Sequence, residues 1–532
     1  MKINLDKIIH FTKRDKIFQQ GIFTLIVIVL TVTIISLIIK RRRANKAKSM
    51  PIQHNSQPKE VQTCEQMMKQ LENNGFIRLK SYRPFQEEDL FKYDDELYSV
   101  KQFKSRYPNA KGFICYSDSS QKVPYNYIGI CDADLIHEFM VEKEKYYERD
   151  VTLSYVARIL GDSLLFNLSD IWRMKRKVYG QMFHFYQYHQ LVKLVREITT
   201  KNSYIIDMNS QKPVQLISHF EDILGEWSLH LFFGYNASQY DLQSKLKAAY
   251  NNARSAILLL QPQNIINCLD PLKEVLLEYL YITSDQIKSD PDYQSKPQNN
   301  ITWFLLNSKE VQWNKDFLDQ ICQDIIIFFF AGRDTMAHTL QMMFYYLCIY
   351  PEYKKKIDEE INSLNGDYSV QNISNLNYLE AVLKETLRHY GPTTTILPKV
   401  VMERHSFMND KVFLEEGTIV SLAIQELNYD PQHYENPFKF YPERWFDENL
   451  KQKEKKIFMP FSYGSHKCIG DKLALPVMKM LYITLNEYFS IDIDPSFKLK
   501  LVALIQYTPS TQIPFLITKK KNIQSNNEVY FS

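Results

Sequence analysis

Phe461–Gly470 reads FSYGSHKCIG and runs straight into Lys472–Phe489, an apolar stretch of helix formers. An isolated cysteine, Cys468, stands between Gly464 and Gly470 at a predicted helix start. Backbone N–H groups and the positive end of a helix favour a thiolate at such a place. The glycines let the chain turn tightly and approach a flat ligand closely. A lone thiolate without three partner ligands suits one axial position of haem iron. Taken alone, an isolated cysteine is more often a small buried hydrophobe, so the weight falls on its surroundings.

Upstream, Phe317–Tyr350 contains no proline and is too long for a strand. It carries Ala331-Gly332-Arg333-Asp334-Thr335 behind the apolar run Ile325–Phe330. A second helical pattern, Leu376–His389, sets Glu385 and Arg388 on one face and stops at Gly391-Pro392. Pro442-Glu443-Arg444-Trp445 follows, and Trp172 stands about one turn before Arg176 far upstream. Each pattern has a bland reading when isolated: a glycine in an ordinary helix beside an exposed Arg–Asp pair, a surface ion pair, or a solvated basic face with Arg173, Lys175 and Lys177. Short strand-like pieces, Lys399–Met402, Val412–Leu414 and Thr418–Leu422, complete a class that is mainly α with a minor β portion.

In this order and spacing the segments resemble the cytochrome P-450 family. The cysteine loop matches F-x-x-G-x-[RH]-x-C-x-G at every fixed position, with His466 in the basic place. Glu385-Thr386-Leu387-Arg388 is similar to the family's ExxR, Pro442–Trp445 to its P-E-R-x, and Ala331–Thr335 to its A-G-x-[DE]-T. The resemblance covers roughly Val61 to Thr518 and is weak before Trp172. It implies a single large catalytic domain of cytochrome P-450 fold holding haem b. Cys468 would be the iron ligand, within a loop shaped by Phe461, Gly464 and Gly470. Trp172, Arg176, Lys399 and His466 would meet the haem propionates, with Lys399 where many relatives carry Arg. Asp334 and Thr335 would deliver protons beside the room that Gly332 opens for O2. Glu385, Arg388 and Arg444 would form a buried structural network. The histidines His184 and His189 lack an HExxH context and read as packing or surface residues.

Composition agrees. Lys and Arg number 65 against 61 Asp and Glu, too balanced for a nucleic-acid binder identified by charge. A mean hydropathy of −0.34 excludes a polytopic transporter. Only 14 glycines disfavour a turn-rich all-β fold and most doubly wound nucleotide folds. The 7 cysteines are widely spaced with no CxxC, so reduced, cytosol-facing thiols fit better than disulfides or a zinc ribbon.

Ile22–Ile39 reads IFTLIVIVLTVTIISLII, carries no charge, and ends at Lys40, Arg41, Arg42 and Arg43. It is expected to be a membrane anchor. The organisation is therefore a polar segment at 1–20, an anchor at 21–39, a basic linker at 40–60, a catalytic domain at 61–518 and a polar tail at 519–532. Loop charge leans toward a cytosolic catalytic body, and the resemblance, to the membrane-anchored microsomal type of the family, implies the endoplasmic reticulum. Sequons at Asn167, Asn236, Asn300 and Asn372 would discriminate, since only a luminal body would carry glycans.

The resemblance implies a monooxygenase that takes O2 and a small apolar substrate, such as a lipid, sterol or xenobiotic. No G-x-G-x-x-G signature for flavin or NADPH is present. Electrons would come from a flavoprotein similar to NADPH–cytochrome P-450 reductase, steered by basic residues such as Lys467 and Lys472. Two alternatives stay open: a same-fold lipid isomerase or dehydratase, and a non-catalytic haem-thiolate sensor or carrier.

Overall fold

From the long helix onward the expected helices and strand pieces appear in the expected order. In a computed structural model the described residues are 64–79, 103–104, 106–116, 126–150, 162–183, 188–203, 213–233, 262–289, 315–393, 398–503, 507–509 and 511–520. The helices are α1 (Cys64–Asn73), α2 (Ala133–His137), α3 (Ser169–Met182), α4 (Tyr188–Ser203), α5 (Leu216–Phe233) and α6 (Pro262–Ser289). They continue as α7 (Lys315–Ile349), α8 (Pro351–Asn362), α9 (Val370–Ser374), α10 (Asn377–His389), α11 (Ile424–Asn428), α12 (Glu448–Ile457) and α13 (Asp471–Tyr488).

Helix α7 ends because Pro351 cannot continue it. The proline instead occupies the first turn of α8, where its missing N–H costs nothing. Helix α5 buries side chains all around its circumference, Phe220, Glu221, Glu226 and Leu229 among them, so it runs inside the fold. Its neighbours are α7 and α4, and α13 packs along α4. One continuous apolar cluster joins α3, α4, α5, α7 and α13. The run Ile325–Phe329 is buried in it, and Phe330 is half-buried.

The minor β portion is a six-stranded mixed sheet with three two-stranded pairs. Its strands are β1 (Phe76–Leu79), β2 (Gly112–Tyr116), β3 (Asn126–Ile130), β4 (Tyr147–Arg149), β5 (Lys399–Val401) and β8 (Ile419–Leu422), in the order β1-β2-β3-β8-β5-β4. The antiparallel register of β4 on β5 sets Arg149 opposite Lys399. The hairpin β6 (His405–Phe407) and β7 (Val412–Leu414) lies between β5 and β8 in the chain. Near the C-terminus β9 (Phe489–Ile493) pairs with β12 (Phe515–Lys519), and β10 (Leu501–Ala503) with β11 (Tyr507–Pro509).

Lys519 pairs with Phe489, and the Lys520 N–H donates to the Tyr488 carbonyl at 3.1 Å. Lys519, expected in the polar tail, ends β12 and Lys520 adds one more backbone bond beyond it, because backbone pairing is indifferent to side-chain polarity. The expected anchor at 21–39 and the flanking segments 1–20 and 40–60 lie outside the described residues, as do His184 and the sequons at Asn236 and Asn300. Among the described residues no helix is long and apolar enough to cross a membrane.

Candidate haem-thiolate site

The cysteine loop closes on itself before it enters α13. The Cys468 N–H donates to the Phe461 carbonyl at 2.8 Å, and the Lys467 N–H to the Gly464 carbonyl at 3.1 Å. Gly464 has φ +72°, and a Cβ there would stand 2.7 Å from the Met140 carbonyl oxygen. Both conformation and close approach therefore demand glycine at this corner. Gly470 precedes the first turn of α13, and a Cβ on it would sit 3.9 Å from Cys468 Sγ.

The sulfur of Cys468 is accessible yet deeply set. Burial raises its thiol above the ordinary value, although the Gly470 N–H, Arg176 and Lys467 pull the other way, and nearby Asp471 adds to the rise. The backbone N–H at the helix start acts in the expected direction, with burial opposing it. Desolvation is the largest of these influences, and an iron cation at the sulfur, when haem is bound, would favour the thiolate.

Trp172, Arg176, Lys399 and His466 converge beside the loop. The Trp172 and His466 rings stack with centroids 3.9 Å apart. Arg176 Nη2 donates to the Lys467 carbonyl at 2.7 Å. Lys399 is 4% exposed, and neither its Nζ nor His466 Nδ1 has a hydrogen-bond partner among the described residues. Burial, then Arg149, Lys399, Arg176 and Arg173, push the His466 imidazole down to about 2, so the ring is neutral. For that reason the Glu144 carboxylate, 3.5 Å from His466 Nε2, makes no ion pair with it.

The sequence reading missed one member of this cluster, Arg149. It sits directly opposite Lys399 across two strands and 5.8 Å from the Trp172 ring, and it donates to the Leu164 carbonyl at 3.0 Å. Burial, then Arg176, push its guanidinium down to about 10, and burial pushes Lys399 down to about 8. Like charges facing each other across strands destabilise a sheet. Their retention here suits an anion held between them. No local motif marks Arg149 in the sequence; its register against Lys399 is the only signal.

On α7, Ala331 is exposed while Gly332 and Thr335 are half-buried, and a Cβ added to Gly332 would meet nothing within 4 Å. These three form the open face of the helix. Thr335 Oγ1 donates to the Ala331 carbonyl at 2.6 Å, which leaves its lone pairs for an incoming donor. Asp334 points elsewhere: it is 4% exposed, and Arg333 beside it is equally buried. The structure thus brings Thr335 onto the open face and places Asp334 behind it, rather than presenting the two side by side.

On α10 and the Pro442–Phe446 turn, Glu385, Arg388 and Arg444 are buried together. Glu385 accepts from Arg388 Nη2 at 2.8 Å and Nε at 3.0 Å, and from Arg444 Nε at 3.1 Å. The Trp445 indole N–H adds a further bond at 3.1 Å, and the Tyr441 backbone N–H one at 2.9 Å. Arg388 also donates to the carbonyls of Asn428 and Pro437 at 2.8 and 2.9 Å, and Arg444 to that of Glu435 at 2.8 Å. Every charge in this network is satisfied, the condition under which buried ions persist. A phenylalanine at 445 would lack the indole donor.

Comparison with known proteins agrees with the fold. The family model "Cytochrome P450" matches residues 119–513. Cytochrome P450 3A31 of Mesocricetus auratus is 32% identical over 244 residues, 45% of either chain. Cytochrome P450 3A6 of Oryctolagus cuniculus is 27% identical over 345 residues, 60% of this chain and 64% of its own. The chain spans about half the length of the curated relatives it matches. The crystal structure of the cytochrome P450DA heme domain superimposes with a TM-score of 0.69 at 15% identity, covering 84% of this chain and 98% of its own. The fold is that of a haem-thiolate protein, mostly helical with a minor sheet portion. The chain belongs to the cytochrome P450 family, whose members are monooxygenase oxidoreductases that bind haem b.

The residues present fit that cofactor. The orphaned Lys399 Nζ and His466 Nδ1, with Arg149 and Arg176, match two propionates, and Gly464 and Gly470 keep the backbone beside Cys468 free of side chains.

Proposed function

We propose that this chain is a haem-thiolate monooxygenase that inserts one atom of O2 into an apolar lipid, sterol or xenobiotic. Haem b, when bound, supplies dioxygen activation and electron transfer. Cys468 is the iron ligand. Trp172, Arg176, Lys399 and His466, joined by Arg149, bind and orient the propionates, and Phe461, Gly464 and Gly470 hold the loop in shape. Thr335 holds a water at its hydroxyl on the open face of α7, and Asp334 relays protons to it. Glu385, Arg388 and Arg444 keep α10 and the Pro442–Phe446 turn rigid.

The observation that carries this reading is the convergence of buried, mutually repelling cations beside a single accessible cysteine. Electrons come from a separate flavoprotein similar to NADPH–cytochrome P-450 reductase. The catalytic domain, 61–518, faces the cytosol behind an anchor at Ile22–Ile39, on the endoplasmic reticulum. The test is turnover of a lipid panel with such a reductase under isotopically labelled dioxygen. One labelled oxygen atom per product molecule, with stoichiometric NADPH use, is the expected result. Product free of label would assign the chain to oxygen-independent rearrangement, and absence of any NADPH-dependent dioxygen consumption to a carrier or sensor.

A further inference from the structure

Nearly three turns before the Gly332 opening, α7 carries a second acid, Asp324, buried at 1% exposure. Donors from two directions meet its carboxyl group. From α3, Lys175 Nζ lies 2.9 Å from Oδ2, and the Tyr179 hydroxyl donates to the same oxygen at 2.6 Å. These two bonds turn the other oxygen, Oδ1, toward the turn at 162–164, where the Leu164 N–H donates to it. Gln323, beside Asp324, takes the Asp162 N–H at 3.1 Å, and Lys175 Nζ donates to the Asp162 carbonyl. The backbone of this turn is therefore pinned to α7 and α3.

Leu164 is held from its other end by Arg149. Arg149 Nη1 donates to the Leu164 carbonyl at 3.0 Å and also to the Leu165 carbonyl. Arg149 stands opposite Lys399 on β5 and 5.8 Å from the Trp172 ring, and Arg176 lies close enough to act on its charge. Like charges so placed push apart. A guanidinium stays beside them only if an acceptor of fixed position holds it there. The Leu164 carbonyl is that acceptor, and Asp324 fixes Leu164. We propose that Asp324 is a positioning residue for haem binding, setting the place of the Arg149 guanidinium through the backbone of Leu164. The inference rests on the reading of Arg149 as a propionate partner and names the group that keeps it in place.

Asp324→Asn tests this at nearly constant volume. The amide offers one acceptor oxygen where the carboxyl group offers two. The Lys175 ammonium, as the charged donor, takes that oxygen, so α3 keeps its contact. The Leu164 N–H then faces an N–H2 group and the turn shifts. Resonance Raman spectroscopy of the haem-loaded full chain reads the propionate bending bands, which respond to the hydrogen bonds the propionates receive, and needs no turnover. The bands are expected to shift in Arg149→Gln and in Asp324→Asn. The double variant is expected to shift no further than Arg149→Gln alone. Asp324→Glu keeps the acid but drives Leu164 away by one methylene. It is expected to shift the same bands and serves where Asp324→Asn fails to fold. Bands that move in Arg149→Gln but stay at the wild-type position in the folded Asp324 variants would overturn the proposal. Additive shifts in the double variant would overturn it as well, since Asp324 would then act apart from Arg149. Failure of the propionate reading is separate: the bands would stay unmoved in Arg149→Gln itself, and the proposal would fall with it.

Discussion

Lys399 is the residue whose chemistry is most exposed to a simple test. Burial holds its ammonium at about 8 in the folded chain, against an unfolded value of 10.5. An anionic propionate alongside would raise it again, so haem binding takes up a proton in the window between those values. Haem affinity is expected to fall as pH rises through about 8, by at most about tenfold per pH unit. Lys399→Arg, which stays charged, is expected to flatten that dependence. Equal slopes in haem titrations of the two proteins would remove Lys399 from the propionate site.

Thr335 is the second residue-scale test. Thr335→Ala is expected to keep the haem spectrum and much of the NADPH consumption, while product per NADPH falls and hydrogen peroxide rises. About 10²–10⁴-fold is the ceiling on the loss. Unchanged coupling would leave Thr335 as a wall residue. At this scale the sequence was readable wherever spacing encodes contact, as between Cys468 and the two glycines. It was silent on Arg149, whose meaning comes from a strand pairing with Lys399 across some 250 residues. It was silent on the burial of the Cys468 thiol, because desolvation depends on packing that no local pattern reports.

At the scale of elements, α10 and the Pro442–Phe446 turn are locked through Glu385. Arg388→Ala would strand a fully buried carboxylate, a loss of about 3–5 kcal/mol. The expected outcome is haem-poor, aggregating protein. Well-folded, haem-loaded but inactive protein would contradict the structural role. Trp445→Phe removes one bond to Glu385 and keeps the packing, so a milder loss of about 1–3 kcal/mol is expected, read as a lower melting temperature with haem retained.

The long helices α7, α10 and α13 were legible to within a residue or two, since periodicity and the flanking Pro351, Gly391 and Gly470 mark their ends. Most strands were not. β1 to β4 are three to five residues each, too short for alternation to stand out, and they gain stability only from partners distant in sequence. The ExxR pair was legible as one helix face and its burial followed from the resemblance, but its indole donor was visible only once the turn had packed on α10.

For the whole molecule, the anchor reading predicts that deleting 1–48 releases much of the protein from membranes with haem still bound. Haem loss on deletion would instead tie that segment to the fold. Asn167 is buried, so the glycan test of topology falls on Asn236, Asn300 and Asn372. Glycans on any of these in cells would place the catalytic body in the lumen and reverse the proposed orientation. The central claim concerns the entire arrangement, from β4 and β5 to the start of α13, converging on one sulfur. The most direct measurement is the carbon monoxide difference spectrum of the reduced, haem-loaded chain and of Cys468→His. The wild type should show the red-shifted Soret band of a haem-thiolate, and the variant should lose it while still binding haem through the propionate residues. A variant that keeps the red-shifted band would show that another group ligates the iron.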